Sequence, residues 1–365
     1  MESLRRPHRD SSLNRTRIAA NPTNPDYTYL CPVQKFLVIQ TAFIGDVVLA
    51  TALIEKLHAF YPGAQIDFLV RKGNETLLTG HPYLHEVLIW DKKQNKLKNL
   101  LSLTRRIRKE RYDKLINVQR FAATGLLTTF SGAKETIGFD KNPLSRFFTH
   151  RIPHIIGNKH EIERNQTLIA AFTDAIPANP RLYPTKTEEG KVTPYKSHPY
   201  ITISPASVWF TKQYPKEKWV SFIEKLPGRL TVYLLGAPSD KDLCQHIQTH
   251  TPGNNTIDLS GQLSFLQSAA LQKDALMNYV NDSAPMHFAS AVNAPVTAVY
   301  CSTIPAFGFG PLSDVSHIVE IPEPLDCRPC GLHGYKACPR GHFNCAYKIQ
   351  DRQLLATLPP AAPSV

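Results

Sequence analysis

KFLVIQTAFIGDVVLATALIEKLHAFYP, Lys35 to Pro62, sets a short β-rich run, FLVI, before a loop and a helix-length apolar segment. Branched residues in the first part favour a strand, and the sustained apolar pattern of the second favours a buried helix. A lone carboxylate, Asp46, stands where strand becomes helix. Two readings are open there. An acid suits a helix N-terminus, where unpaired N–H groups and the macrodipole favour negative charge. It equally suits a base held at the mouth of a parallel sheet.

The same alternation continues outward. AQIDFLV, EVLIW and DKLINVQ read as strands, with LKNLLSLTRRIRKE as a helix between two of them and HEIERNQTLIAAFTDA as a helix closing this half. IPANPRLYPTKTEEGKVTPYKSHP is rich in proline and charge and reads as a linker. Alternation resumes with YITISP, PKEKWVSFIEKL, RLTVYLLG, SDKDLCQHIQTH, ALMNYV, SAPMHFASAV and PVTAVYC. Repeated β-α-β order predicts parallel sheets covered by helices on both faces. The fold expected is α/β, with two Rossmann-like doubly wound domains facing a cleft. Its parts are an extension over 1–30, an N-terminal domain over 31–178, a linker over 179–198, a C-terminal domain over 199–350 and a tail over 351–365. Ligands in such sheets sit outside the carboxyl ends of the strands, so the cleft is the expected site.

With 365 residues, 42% hydrophobic and 20% charged, the chain has the composition of a folded globular protein of about two domains. No apolar run reaches the ~20 residues of a membrane span. The first 30 residues are basic and polar without an apolar stretch, which predicts a loose extension rather than a secretory signal and a cytoplasmic location. The formal net charge of +12 points to an anionic partner. It is uneven: from Arg71 to Lys114 twelve Lys and Arg stand against five Asp and Glu, with Arg105, Arg106 and Arg108 in the densest part. A solvated helix face is the plain reading of that run, and a basic surface on the N-terminal domain the functional one.

Four loops carry groups suited to a nucleotide. In SPASVWFTKQYPKEKW, Ser207 and Lys212 follow a strand, and Lys212 is either a phosphate contact or surface charge. In NYVNDSAPMHFASAV, Asn281, Asp282 and Ser283 are good N-caps and Pro285 suits a first turn. Such a helix start offers N–H groups to an anion, and His287 follows as a core or ligand histidine. In LLGAPSDKD, Asp240 is placed to cap a helix or to bond a ribose hydroxyl. In NVQRFAATG, Gln119 and Arg120 leave a strand, and a forked arginine grips phosphate well.

Taken together, TAFIGDVVLATALI, KHEIER (159–164), SPASVWFTKQYPKEKW, GAPSDKD and NDSAPMHFASAV resemble glycosyltransferase family 9, the ADP-heptose:lipopolysaccharide heptosyltransferases, over roughly residues 35–350. The resemblance implies a GT-B fold, with the donor nucleotide on the C-terminal domain and the acceptor on the N-terminal one. It implies Asp46 as catalytic carboxylate and Lys212 as the lysine on the donor diphosphate. Ser207, Asp240, Asp282, Ser283, Ala284 and His287 fall on donor-binding positions, and Gln119 and Arg120 are the candidates for the acceptor. Ala284 replaces a usual glycine, and Tyr214 stands where tryptophan is common. The implied reaction is a single displacement with inversion and no catalytic metal or other cofactor. The implied acceptor is of lipid A–Kdo type, at the anionic inner face of the inner membrane.

The other readings are a GT-B transferase or epimerase using another nucleotide sugar, and a nucleic-acid-binding protein. No RNP, KH or basic-aromatic pattern supports the last. Of seven cysteines, Cys327, Cys330, Cys338 and Cys345 have C-x2-C-x7-C-x6-C spacing and are candidate ligands for a structural zinc, with buried or free thiols as the alternative.

Overall fold

Two six-stranded, all-parallel sheets organise the chain in the computed structural model, which describes residues 33–93, 95–157 and 159–360. The first sheet holds β1 (Lys35–Ile39), β2 (Gln65–Arg71), β3 (Glu86–Trp90), β4 (Lys114–Asn117), β5 (Glu135–Phe139) and β6 (His150–Ile152) in the order β3-β2-β1-β4-β5-β6. The second holds β7 (Tyr200–Ser204), β8 (Thr231–Leu234), β9 (Asn255–Asp258), β10 (Asn278–Asn281), β11 (Val296–Tyr300) and β12 (Ser316–Glu320) in the order β12-β11-β10-β7-β8-β9. Counted from its own first strand, each sheet has the doubly wound order 3-2-1-4-5-6. The strand order reverses between β1 and β4 in one and between β7 and β10 in the other. Crevices form at such reversals.

The expected GT-B pairing of Rossmann-like sheets is therefore present. Both belong to one compact unit that begins at Gln34. Helix α1 (Ile44–Phe60) shows why. It is apolar nearly all round, with Val47, Val48, Leu49 and Ala50 buried, because it packs on two partners at once. One is its own sheet, through Phe36 and Val38. The other lies in the C-terminal half, where Leu266, Phe288 and Ala291 join the same core.

Several boundaries differ from the sequence reading. The helix expected from His160 onward is only α4 (Glu161–Gln166), after which the chain turns. The expected linker contains α5 (Lys186–Val192), whose Val192 is buried with Ala270 and Leu271 of α8 (Phe265–Lys273). The expected tail begins with the helix α11 (Asp351–Leu355). Leu354 is buried there, and Asp351 accepts from Ser221 Oγ at 2.7 Å on α6 (Lys216–Glu224). The expected extension over 1–30 lies outside the described residues. Among the described residues, no helix is long and apolar enough to cross a membrane.

Candidate active site

The loops that leave β1, β4, β7 and β10 all open at the two strand-order reversals, and they carry Asp46, Arg120, Lys212 and Ser283. Asp46 occupies the first turn of α1, where its Oδ2 accepts the Phe43 N–H at 3.2 Å. The capping role foreseen for this carboxylate is real. Opposite stands α9 (Ala284–Ala291). A Cβ added to Gly45 would fall 2.9 Å from His287 Cδ2 and 3.8 Å from Ala284 Cα. Glycine at 45 thus lets the start of α1 touch the start of α9, and Asp46 follows directly. Burial, and then the charge of Glu161, raise the Asp46 carboxyl to about 6, against lowering by backbone N–H groups and Arg71. The elevation was not foreseen, since a base acting on an acidifying hydroxyl does not require it.

Lys212 Nζ pairs with Asp282 Oδ2 at 2.7 Å, and both side chains are largely buried. Asp282 also accepts from Thr303 Oγ1 at 2.6 Å. A carboxylate so engaged anchors the lysine. Asn281 is likewise a strut, taking the Tyr214 N–H at 2.9 Å and donating to Pro205 O at 2.8 Å, so that β10 shapes the Lys212 loop. Tyr214 is buried edge-on to Trp219, as its apolar surroundings favour.

Ser283 has an extended backbone and makes no side-chain cap; Pro285 has no N–H and Met286 N–H donates to Ser283 O at 3.1 Å, so the N–H groups of Ser283 and Ala284 are the ones this helix start offers an anion. Ser207, Asp240, Ser283 and Ala284 line one cavity of about 740 Å³. Its walls include Phe265 and Phe288, which offer apolar surface beside the polar loops. Asp240 Oδ2 accepts the Ala237 N–H at 2.8 Å, so this carboxylate both braces its turn and borders the cavity. His287 is apart from that cavity: it is buried, and burial with nearby His160 and Lys212 pushes its imidazole down to about 3. It is a neutral ring wedged between α9 and α1, with Nδ1 unpartnered among the described residues.

Of the acceptor pair, only Arg120 is exposed. Gln119 is buried, with its Nε2 bonded to Gln40 Oε1, which removes it from the expected acceptor contacts. Arg120 makes no hydrogen bond or ion pair among the described residues, and its charge reaches Glu161 on one half and His333 on the other. The arginine run is a solvated helix face, its plain reading, with Arg105, Arg106 and Arg108 exposed. It forms the end of α2 (Lys96–Glu110), which leads into the start of β4, and Arg106 pairs with Glu86 at the first residue of β3. That is the amino edge of the sheet, opposite the cleft. Basic groups at the carboxyl edge are instead Arg71, which ends β2, and Lys92, whose Nζ donates to Thr41 O at 2.9 Å. Burial lowers Lys92 to about 8, with Arg71 and Lys96 adding to the effect.

The four cysteines of the cluster line one cavity of about 220 Å³. Yet among the described residues no three His, Cys, Asp or Glu side chains are grouped closely enough to hold a metal ion. The structure gathers the thiols without assembling the expected zinc site. Their loop has a visible task, since it braces the lysine loop. Thr211 N–H donates to Tyr335 O at 3.1 Å, and Tyr335 N–H returns a bond to Thr211 Oγ1 at 2.8 Å. Gly334 is needed at φ +77, where a Cβ would come 2.8 Å from Thr211 Oγ1.

Thr303, Glu161 and Arg71 were missed as site residues. Arg71 was visible only as one charge in a basic run, and nothing local marks Thr303.

The family model for glycosyltransferase family 9 (heptosyltransferase) matches residues 100–331. Lipopolysaccharide heptosyltransferase 3 of Escherichia coli strain K12 is 28% identical over 278 residues, covering 71% of this chain and 80% of that protein. Among solved structures, the ADP-heptose LPS heptosyltransferase II of E. coli superposes with a TM-score of 0.73 at 21% identity, over 89% of this chain and 97% of the other. A glycosyl transferase family 9 protein from Veillonella parvula gives a TM-score of 0.78 at 19% identity, over 89% and 96%.

Proposed function

The chain belongs to glycosyltransferase family 9 and is a glycosyl-transferring enzyme, and from that premise we propose that it moves heptose from ADP-heptose onto the phosphorylated inner core of lipopolysaccharide. The observation that carries the reading is the close approach of Gly45 to Ala284 and His287, because it brings the first turn of α1, with Asp46, to the start of α9.

In this reading the nucleoside lies in the 740 Å³ cavity with its ribose toward Asp240. The diphosphate meets the first turn of α9, Ser283 and Lys212. The acceptor hydroxyl attacks the anomeric carbon from the face opposite the diphosphate, which inverts the configuration. As the new C–O bond forms, the hydroxyl proton passes to the Asp46 carboxylate. The anomeric C–O bond to phosphate breaks, and ADP leaves with the electron pair. Lys212 and the helix N–H groups stabilise the charge that collects there, so we assign the reaction no catalytic metal. Asp282 and Thr303 hold the lysine. Arg120 contacts the phosphorylated, lipid A–Kdo type acceptor, and the basic carboxyl edge draws the enzyme to the anionic inner face of the inner membrane.

The test is turnover with purified sugar nucleotides and defined truncated lipopolysaccharides, followed by ADP or UDP release. ADP-heptose should be the productive donor, and Asp46→Asn should lower kcat at least ~100-fold while leaving ADP affinity nearly intact. Release of UDP from a UDP-sugar instead would move the enzyme to another donor class. Full turnover by Asp46→Asn would remove the base.

A further inference from the structure

The segment from Lys159 to Arg164 belongs in sequence to the N-terminal half, but its bonds run to the other half. Glu161 N–H donates to Gly308 O at 2.7 Å, and Arg164 Nη2 donates to Phe307 O at 3.3 Å. His160 Nε2 lies 3.0 Å from Gly310 O. Gly308 has φ +93, and a Cβ there would collide with Lys159 O and the Arg164 guanidinium, so the close approach depends on glycine. Within the segment, the Glu161 carboxylate accepts from Arg164 Nε at 3.0 Å and Nη2 at 2.5 Å, with both side chains largely buried. The Arg164 guanidinium also lies 5.6 Å from the ring centre of Phe309. Two bonds from one guanidinium, both to Glu161 Oε2, hold this carboxylate against Arg164.

Ile162, next in the chain, is buried against Leu49 and Ala52 of α1, one and two turns beyond Asp46. This packing carries the Glu161 carboxylate to the Asp46 end of α1. We propose that Glu161, locked by Arg164, is a positioning residue for the transfer: a fixed second carboxylate that tunes the proton affinity of Asp46 and ties it to the 305–310 loop of the donor half. The inference rests on Asp46 acting as base.

The charges around Asp46 support a tuning role. Glu161 acts on it from α4, Arg71 from the end of β2, and neutral His287 of α9 packs on the preceding Gly45, with Lys212 acting on that histidine. Glu161 is the one that raises the carboxyl, after burial. Burial raises the Glu161 carboxyl itself, and the charges and bonds of Arg164 and the charge of Arg120 work against that rise. A base with raised proton affinity gains more as the acceptor hydroxyl gives up its proton. Because Glu161 also bonds loop 305–310, its charge stands beside Asp46 when the two halves are engaged.

The experiment compares wild type, Glu161→Gln and Glu161→Asp, measuring kcat/KM against pH and ADP binding by calorimetry. Glutamine keeps the shape and an acceptor for Arg164 but removes the charge. The acid limb of the profile should then move to lower pH by ~0.5 unit or more, the direction expected when a like charge is lost. ADP affinity should stay within about twofold, as for a group that does not touch the donor. Glu161→Asp, which restores the charge, should return the limb toward the wild-type position. A merely structural role would lower the melting temperature and rate without moving the limb, and a folded Glu161→Gln with an unmoved limb overturns the inference. Should Glu161→Gln fail to fold, carbon-13 titration of Asp46 in the wild-type enzyme, assigned with Asp46→Asn, takes its place. Titration in the ordinary range near 4 would overturn the tuning role. An active Asp46→Asn would defeat the base itself. An inactive one with an unmoved Glu161→Gln limb would defeat only the tuning.

Discussion

Removing Lys212 should do two separable things, and the Lys212–Asp282 pair lets them be measured apart. Lys212→Met deletes the ammonium but keeps much of the stem. Asp282 then stays largely buried with only the Thr303 hydroxyl at 2.6 Å. Breaking such a pair from one side costs about 3–5 kcal/mol, and the surviving hydroxyl bond puts this case near the low end, about 3 kcal/mol. At roughly 2 °C per kcal/mol for a chain of this size, the melting temperature should fall by about 6 °C. Turnover should fall ~100- to 1000-fold, the range for losing one stabiliser of developing negative charge. The double variant Lys212→Met/Asp282→Asn removes the uncompensated carboxylate. It should recover most of the lost melting temperature and none of the lost turnover. Scanning fluorimetry gives the first number and coupled ADP release the second. If the double variant regained turnover along with stability, the lysine would serve only to neutralise Asp282, and its contact with the donor diphosphate would have to be abandoned.

The base should also leave a mark on stability. Since Asp46 has a folded-state value near 6 against an ordinary 3.8, the folded protein binds the extra proton between those limits, and wild-type stability falls as pH rises through that window. Asp46→Asn, which cannot titrate, should match wild type near pH 4 and exceed it above pH 6 by an amount on the order of 3 kcal/mol at most. Chemical denaturation at both pH values checks this, and an equal gap at both would contradict it. Arg120→Glu should raise acceptor KM about tenfold or more and spare donor KM, as for loss of a charge-assisted contact. The triple reversal at Arg105, Arg106 and Arg108 should change neither, because the run lies at the far edge of the sheet; an acceptor effect of the triple alone would relocate the acceptor. Elemental analysis should find well below one zinc per chain in wild type and Cys327→Ser alike, while stoichiometric zinc lost in the variant would mean that the thiols close around an ion.

What could be read in advance follows from the range of each interaction. The alternation of strand and helix is written in local apolar pattern, so both sheets and the loops leaving β1, β4, β7 and β10 were legible. Lys212 and Ser283 were legible for the same reason, since a strand's end and a capped helix start announce themselves within ten residues. Gln119 and Arg120, adjacent in sequence and alike in polarity, could not be told apart: only the position of Gln40, 79 residues away, decides that one is buried and the other open. The edge on which the arginine run falls was set by topology. Charge density is visible along the chain, but the edge of the sheet on which it falls depends on the helix running antiparallel to its strands, which sends the C-terminal end of α2 away from the cleft. Glu161 is the furthest case. Its segment reads as the opening of a long helix, whereas its place beside Asp46 depends on Ile162 packing against α1 more than a hundred residues earlier, and its bond to Gly308 exists only once the two halves meet. Asp46 itself lies between these extremes. Its position was legible and its proton affinity was not, because the first depends on where a strand ends and the second on what closes over it. The lone acid at this helix start caps α1 through one oxygen, and the same turn brings its carboxyl to the start of α9. A cap alone would need no glycine before it, whereas a Cβ at Gly45 would meet His287 Cδ2 at 2.9 Å and push the start of α1 away from α9.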